Sequence, residues 1–365
     1  MNIEFIPISK PSITDREIAY ITDAAKSGWV SSLGEYINKF ECNYAIYCGT
    51  KYALTTSNGT TALHLALLSI GLNPNDEVII PDLTFIATAN AVSYTGAKCV
   101  QVDIDKNTLC IDPEKIKKAI TNKTKAIIAV HLYGHPADMD EINKIAKEFN
   151  LYVIEDAAEA HGATINNKKV GGLSDVGIFS LYGNKIITSG EGGIITTNNK
   201  KLYDKMKLLR DHAMSKKKRY WHTEIGYNYR MTNIQAALGL AQLERIDNII
   251  LKKRMIFEWY CNGLKNDSRI KLNYEKKDCK NVYWMVCVEI NKYTYKRRNA
   301  LIKNLALKGI ETRPFFYPIS DMPMYKSSKK VISQRASSHG INLPSFFDIN
   351  EQQVKYVCDE LIKAI

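Results

Sequence analysis

Between Tyr52 and about Thr197, short β-branched apolar runs alternate with longer stretches whose apolar residues recur at helical spacing. The runs VIIP ending at Pro81, CVQVDI from Cys99, AIIAVHL from Ala126, LYVIED from Leu151, VGIFSL from Val176 and GGIITT from Gly192 read as strands. Residues 60–70, 86–95, 113–120 and 138–149 read as the helices between them. Strand and helix in alternation predict the α/β class, a mainly parallel sheet covered by helices. After Asp211 a polar, basic stretch leads into one long amphipathic helix over residues 232–264 that bridges to a second unit. There VYWMVCVEI from Val282 reads as a strand, and residues 297–307 and 352–365 as helices, which suits a smaller α+β unit. The expected division is a large unit over residues 1–245 and a small C-terminal one over 246–365.

The chain has 365 residues, 45% of them hydrophobic, enough to bury a full core. The start, MNIEFIPISKPSITDREIAY, lacks the basic head and apolar body of a secretory signal, and no apolar run reaches the ~18 residues of a membrane span. A cytoplasmic protein is expected. Cysteines 42, 48, 99, 110, 261, 279, 287 and 358 form none of the tight pairs that hold zinc or make a redox motif, so buried free thiols and no metal are expected. The net charge of +12 suits an anionic partner, either a phosphorylated small molecule or nucleic acid. The densest basic run, Lys216 to Arg219, is followed by Tyr220, Trp221 and His222, with no nucleic-acid motif around it. It reads either as a solvated loop or as a loop reaching an anionic ligand, and His222 is a substrate-side candidate on the second reading.

Three segments carry candidate chemistry. In SNGTTALHLAL, Ser57, Asn58, Gly59 and Thr60 run directly into a helix, offering backbone N–H groups, a positive dipole end and a hydroxyl to an anion. A plain helix cap is the alternative. Glu155 and Asp156 end an apolar strand, where ligands gather in open α/β sheets. In FSLYGNKIITSGEGGIITT a strand delivers Ser180, a turn presents Lys185, and glycines 190, 192 and 193 follow. A lysine among small residues and apolar walls can have its pKa lowered enough to act as nucleophile and proton carrier. The glycines lack the spacing of a dinucleotide loop. An amine, an acid and an anion cup together meet the needs of a cofactor.

With these segments and PDLTFIATANAV, HLYGHPADMD, EDAAEAHGA, RYWHTEIGYNYRMTNIQAALGLAQLE and ETRPFFYPI, the chain resembles, over almost its whole length, the DegT-type nucleotide-sugar aminotransferases. These are fold type I enzymes dependent on pyridoxal 5'-phosphate. The resemblance implies that Lys185 forms the covalent imine with the cofactor aldehyde, that Asp156 pairs with the pyridinium nitrogen and that Phe85 lies against the ring. It places Gly59, Thr60 and Ser180 at the phosphate and Glu159 near the phenolic oxygen. It further implies that Asn228 is lent to the phosphate of a neighbouring subunit, making a homodimer with shared active sites.

The implied activity is transfer of an amino group from an amino acid, glutamate foremost, to a 4-keto-6-deoxy sugar on a nucleoside diphosphate in surface-polysaccharide biosynthesis. Arg313 and Tyr317 match the family's substrate-side segment, although on a loop they equally read as packing residues. The family commonly carries a histidine two residues after the proline of this segment, where this chain has Ser320 after Pro318 and Ile319. That departure leaves a small phosphorylated ketone, such as a triose phosphate, as the alternative acceptor. A non-catalytic cofactor-binding sensor or structural protein is a second alternative. His131 and His135 stand four apart but on a strand-to-loop segment rather than a helix, so both are expected to be structural, as is His161.

Overall fold

The computed structural model describes residues 5–365. Seven strands form the main sheet, in spatial order Tyr52–Thr56, Gly193–Thr197, Val176–Ser180, Tyr152–Asp156, Thr124–Val130, Glu77–Pro81 and Lys98–Val102. Gly193–Thr197 runs antiparallel to both of its neighbours, and the remaining pairings are parallel. The near-continuous apolar runs follow from this placement. Strands such as Val176–Ser180 and Glu77–Pro81 are buried at every position, because helices cover both faces of a mainly parallel sheet. All six expected strands are present, as are the helices Gly59–Ser69, Ala87–Tyr94, Pro113–Ala119 and Met139–Phe149.

Two helices, Asp15–Lys26 and Glu35–Cys48, precede the first strand and pack against Asn233–Leu243. The single helix expected over residues 232–264 is two, Asn233–Leu243 and Ile246–Leu264. The interruption at Glu244 and Arg245 is held from the N-terminal segment. Glu17 is wholly buried and receives Gln242 Nε2 at 2.6 Å and Arg245 at 3.2 Å, while Arg245 also donates to Ser12 Oγ at 2.9 Å.

A second, antiparallel sheet runs in the order Ile270–Leu272, Val286–Ile290, Gly340–Leu343, Arg313–Pro314. The strand expected from Val282 begins only at Val286, and residues 282–285 instead form a buried approach to it. Helices Ile246–Leu264, Tyr295–Ala306 and Glu351–Ala364 share an apolar cluster with this sheet, separate from the one that fills the main sheet's flanks. Ile6 joins the C-terminal cluster and bridges to Ile310, so the chain's beginning packs with its end. No helix among the described residues is long and apolar enough to cross a membrane.

Candidate active site

The carboxyl ends of the parallel strands open onto a cavity of about 540 Å³, the position where open α/β sheets collect ligands. One end is the start of helix Gly59–Ser69. Asn58 caps it, accepting from Thr61 N–H at 2.9 Å, while Thr61 Oγ1 accepts from Asn58 N–H at 3.2 Å. This reciprocal cap, with Ala62 N–H bonded to Asn58 O, occupies the third and fourth N–H groups and leaves those of Gly59 and Thr60 without a partner among the described residues, at the cavity wall. Ser180 closes against them. A Cβ built on Gly59 would lie 2.9 Å from Ser180 Cβ and 3.3 Å from its Oγ, so glycine is what lets helix start and strand end meet. Behind Ser180, the buried His161 holds its carbonyl with Nε2–H at 2.7 Å and accepts from Tyr44 Oη–H at Nδ1, also at 2.7 Å. Burial brings His161 down to about 4, so it stays neutral.

The paired acids at the end of strand Tyr152–Asp156 part company, as alternation along a strand requires. Glu155 turns into the structure, where Gly171 N–H (2.7 Å), Leu173 N–H (2.8 Å), Ser174 Oγ–H (3.0 Å) and His131 Nε2–H (3.1 Å) all donate to it. His131 Nδ1 accepts from Ala137 N–H at 2.9 Å, which fixes that tautomer. His135 is likewise consumed, between Pro136 O and Lys276 N–H. These histidines are structural, and no cluster fit for a metal ion exists among the described residues. Asp156 turns into the cavity, held by Thr88 Oγ1–H at 2.8 Å and Ala158 N–H at 3.2 Å. Burial raises its pKa, and the Thr88 bond and the nearby Lys185 oppose the rise.

Lys185 enters from the turn after Ser180, its N–H bonded to Tyr182 O at 2.9 Å. Its Nζ lies 3.8 Å from Glu159 Oε1 and 4.1 Å from the centre of the Trp284 ring. Burial lowers the amine's pKa and the Glu159 and Asp156 carboxylates resist the fall. Burial pushes Glu159 up to about 7 against the pull of Lys185 and of Tyr133 N–H, which donates to it at 2.8 Å. The cavity therefore contains a desolvated amine between two acids.

Of the other sequence candidates, Phe85 lines the cavity and is 54% exposed into it, with Phe316 5.8 Å away. Arg313 lines the opposite wall, loosely paired with Glu311 at 3.5 Å. Tyr317, Ser320 and His222 do not line it. Tyr317 stacks on Tyr295 and accepts from the buried Arg298 at 2.8 Å. Ser320 is buried with both its N–H (2.7 Å) and its hydroxyl (2.9 Å) given to Asp82, so it ties its loop to the sheet rather than meeting a ligand. His222 is exposed, and its Nδ1–H donates to His212 O at 2.8 Å. Asn228 is exposed and lies outside the cavity of its own chain. Sequence reasoning missed Thr88, Trp284, Met285 and Asn342, all on the wall. The hydroxyl of ATANAV facing a strand-terminal acid was the one available signal for Thr88.

A pyridoxal phosphate fits these residues: unpaired helix N–H groups and a hydroxyl for its phosphate, an exposed aromatic for its ring, a buried acid for its nitrogen and a desolvated amine for its aldehyde. Residues 11–362 match the model of the DegT/DnrJ/EryC1/StrS aminotransferase family. The chain is 47% identical over 361 residues to the GDP-perosamine synthase of Escherichia coli O157:H7, covering 98% of each, and 45% identical to that of Caulobacter vibrioides, covering 99% of this chain and 97% of the relative. A putative sugar aminotransferase from Streptococcus pneumoniae, solved in its PMP form, superposes with a TM-score of 0.94 at 27% identity, over 99% of this chain and 97% of the other. The cavity thus sits in a chain that belongs to the DegT/DnrJ/EryC1/StrS aminotransferase family, and the enzyme is a pyridoxal phosphate-dependent aminotransferase.

Proposed function

We propose that the enzyme transfers an amino group from L-glutamate to the keto carbon of a nucleotide-linked 4-keto-6-deoxy sugar, a cytoplasmic step in building a surface polysaccharide. Its likeness to GDP-perosamine synthases supports the sugar class, and the eight free cysteines suit a reducing compartment. The observation that carries the reading is Lys185, an amine buried within 3.8 Å of Glu159 in a cavity that also holds Asp156 and the Gly59–Thr60–Ser180 cup.

When bound, pyridoxal phosphate supplies an aldehyde carbon that exchanges amines and a ring that withdraws electrons from it. Gly59, Thr60 and Ser180 would hold its phosphate, Phe85 would cover its ring, Asp156 would keep the ring nitrogen charged and Glu159 would face the phenolic oxygen. Lys185, once released, is the chain's own proton carrier: neutral it takes a proton, charged it returns one. Arg313, the cationic wall residue besides Lys185, would meet the donor's carboxylate or the acceptor's diphosphate. Asn228 on the surface suits a residue lent to a second copy, so the reading includes a homodimer with shared sites. The division at 245/246 is part of the reading too, supported by the helix interruption at Glu244–Arg245 and the two apolar clusters.

The test is to incubate the loaded enzyme with glutamate and either the keto-sugar nucleotide or a triose phosphate, and to follow the amine product by mass spectrometry. The amino sugar nucleotide is expected. Triose amination alone would move the substrate to the small ketone, and turnover of neither would overturn the proposed pairing of glutamate with these acceptors. Ser320, engaged with Asp82, gives the small ketone no support.

A further inference from the structure

Trp284 is set against Lys185 by three constraints. Its ring centre lies 4.1 Å from Lys185 Nζ. Its Nε1–H donates at 2.7 Å to the carbonyl of Asn184, the residue just before the lysine. Its own carbonyl accepts at 2.8 Å from Lys253 Nζ, an amine that also reaches Ser345 O at 2.6 Å and Ser345 Oγ at 2.8 Å. The indole also stacks on Tyr133, centres 6.2 Å apart and planes 14° from parallel. Tyr133 is the residue whose N–H holds Glu159, and it does so in a left-handed backbone conformation, φ 54° and ψ 18°, costly for a bulky side chain. Next to it Gly134, φ +101°, admits no side chain, since a Cβ there would lie 2.8 Å from Trp284 N. Trp284 and Glu159 are thus fixed through one packed unit beside the same amine.

Lys185 must spend part of each cycle neutral and part charged. No hydrogen-bond acceptor among the described residues touches its Nζ, and the nearest carboxylate oxygen is at 3.8 Å. An indole face stabilises a cation without being able to take its proton. A second carboxylate in that place would trap the charge, and an aliphatic wall would suppress it. The other titratable groups around the amine are Asp156 and His161, Tyr133 and Cys287 beside Glu159, Lys253 at the Trp284 carbonyl, and Tyr182, Glu191 and Arg313 on the cavity wall.

We infer that Trp284 is a positioning residue for the reaction: its ring face tunes the proton affinity of Lys185, and its Nε1–H bond holds the turn that aims the amine. The inference rests on Lys185 being the amine that engages the cofactor.

The test uses the full chain stripped of cofactor. Competitive acetylation across pH, read on the Lys185 peptide by mass spectrometry, gives the amine's titration midpoint. Replacing tryptophan biosynthetically with a series of increasingly fluorinated analogues weakens the ring's negative face with little change in packing, and no other tryptophan faces Lys185. The midpoint is expected to fall stepwise, by about one pH unit at the end of the series. Trp284→Leu should lower it by a similar amount and, in the loaded enzyme, cut kcat about tenfold with KM little changed, while Trp284→Phe recovers most of both. A midpoint that stays put across the fluorinated series, or a Trp284→Leu effect confined to KM, overturns the inference. If borohydride fails to fix the cofactor to Lys185 in unlabelled protein, the reading of the site falls. If it succeeds and the midpoint does not move, only the role of Trp284 falls.

Discussion

Two lysines on either side of Trp284 are buried to a similar degree and live in opposite surroundings. Around Lys253, on helix Ile246–Leu264, three oxygens lie within 2.8 Å, two carbonyls and a hydroxyl, one for each proton of an ammonium group. Around Lys185 there is no hydrogen-bond acceptor at all among the described residues, only a carboxylate at 3.8 Å and an aromatic face. On the proposed function, the difference separates a brace from a reagent. A saturated amine joins a helix, a loop and the Trp284 backbone and has nothing left to offer. An unsaturated one keeps its lone pair or its proton available.

The largest effect that can break this contrast is loss of the unsaturated amine. Lys185→Ala should lower the amination rate by roughly 10³-fold or more while leaving the urea unfolding midpoint nearly unchanged, since no hydrogen bond to Nζ is lost. Equal losses of activity and stability would mean that Lys185 too is a brace.

Lys253→Met should do the reverse. It strands the carbonyls of Trp284 and Ser345 in an apolar setting and is expected to cost about 2–4 kcal/mol of stability, with the rate per folded molecule falling much less than in Lys185→Ala. The same variant carries a pH signature. Burial brings Lys253 down to about 7 from 10.5, so between those values the unfolded chain holds the extra proton and stability rises with pH. Below about 7 the cost of burying the charge is fully present. Urea midpoints measured from pH 7 to 10 should climb in the parent and flatten in Lys253→Met.

The smallest effect is expected from Ser345→Ala, which removes one of the three oxygens and should cost about 1 kcal/mol with activity intact. A loss of activity there would show that the brace reaches the amine more directly than the geometry implies.

The half of the cavity built on the main sheet is legible in the sequence because its parts are contiguous and local rules govern them. Asn58–Gly59–Thr60 precedes an apolar helix, Asp156 ends an apolar strand, and Lys185 follows a strand through a turn that contains Gly183 and Asn184. The other half is opaque for the opposite reason. Trp284 and Met285 sit inside VYWMVCVEI, where an apolar run hides the difference between strand and cavity wall, and only the delayed start of the strand at Val286 reveals it. Tyr317 and Ser320 occupy a segment that reads as substrate-facing, but Arg298 and Asp82, distant in sequence, claim their polar atoms. Likewise the helix over residues 232–264 has unbroken periodicity, and its interruption comes from a buried glutamate more than 220 residues upstream.

The close meeting of Gly59 and Ser180 has a consequence for descent. Because even one methyl group at position 59 would strike Ser180, a larger residue there would have to push the helix start and the strand end apart. Descendants of this chain are therefore expected to keep a glycine at position 59 or to rebuild its contact with Ser180, which saturation mutagenesis of that one position can check.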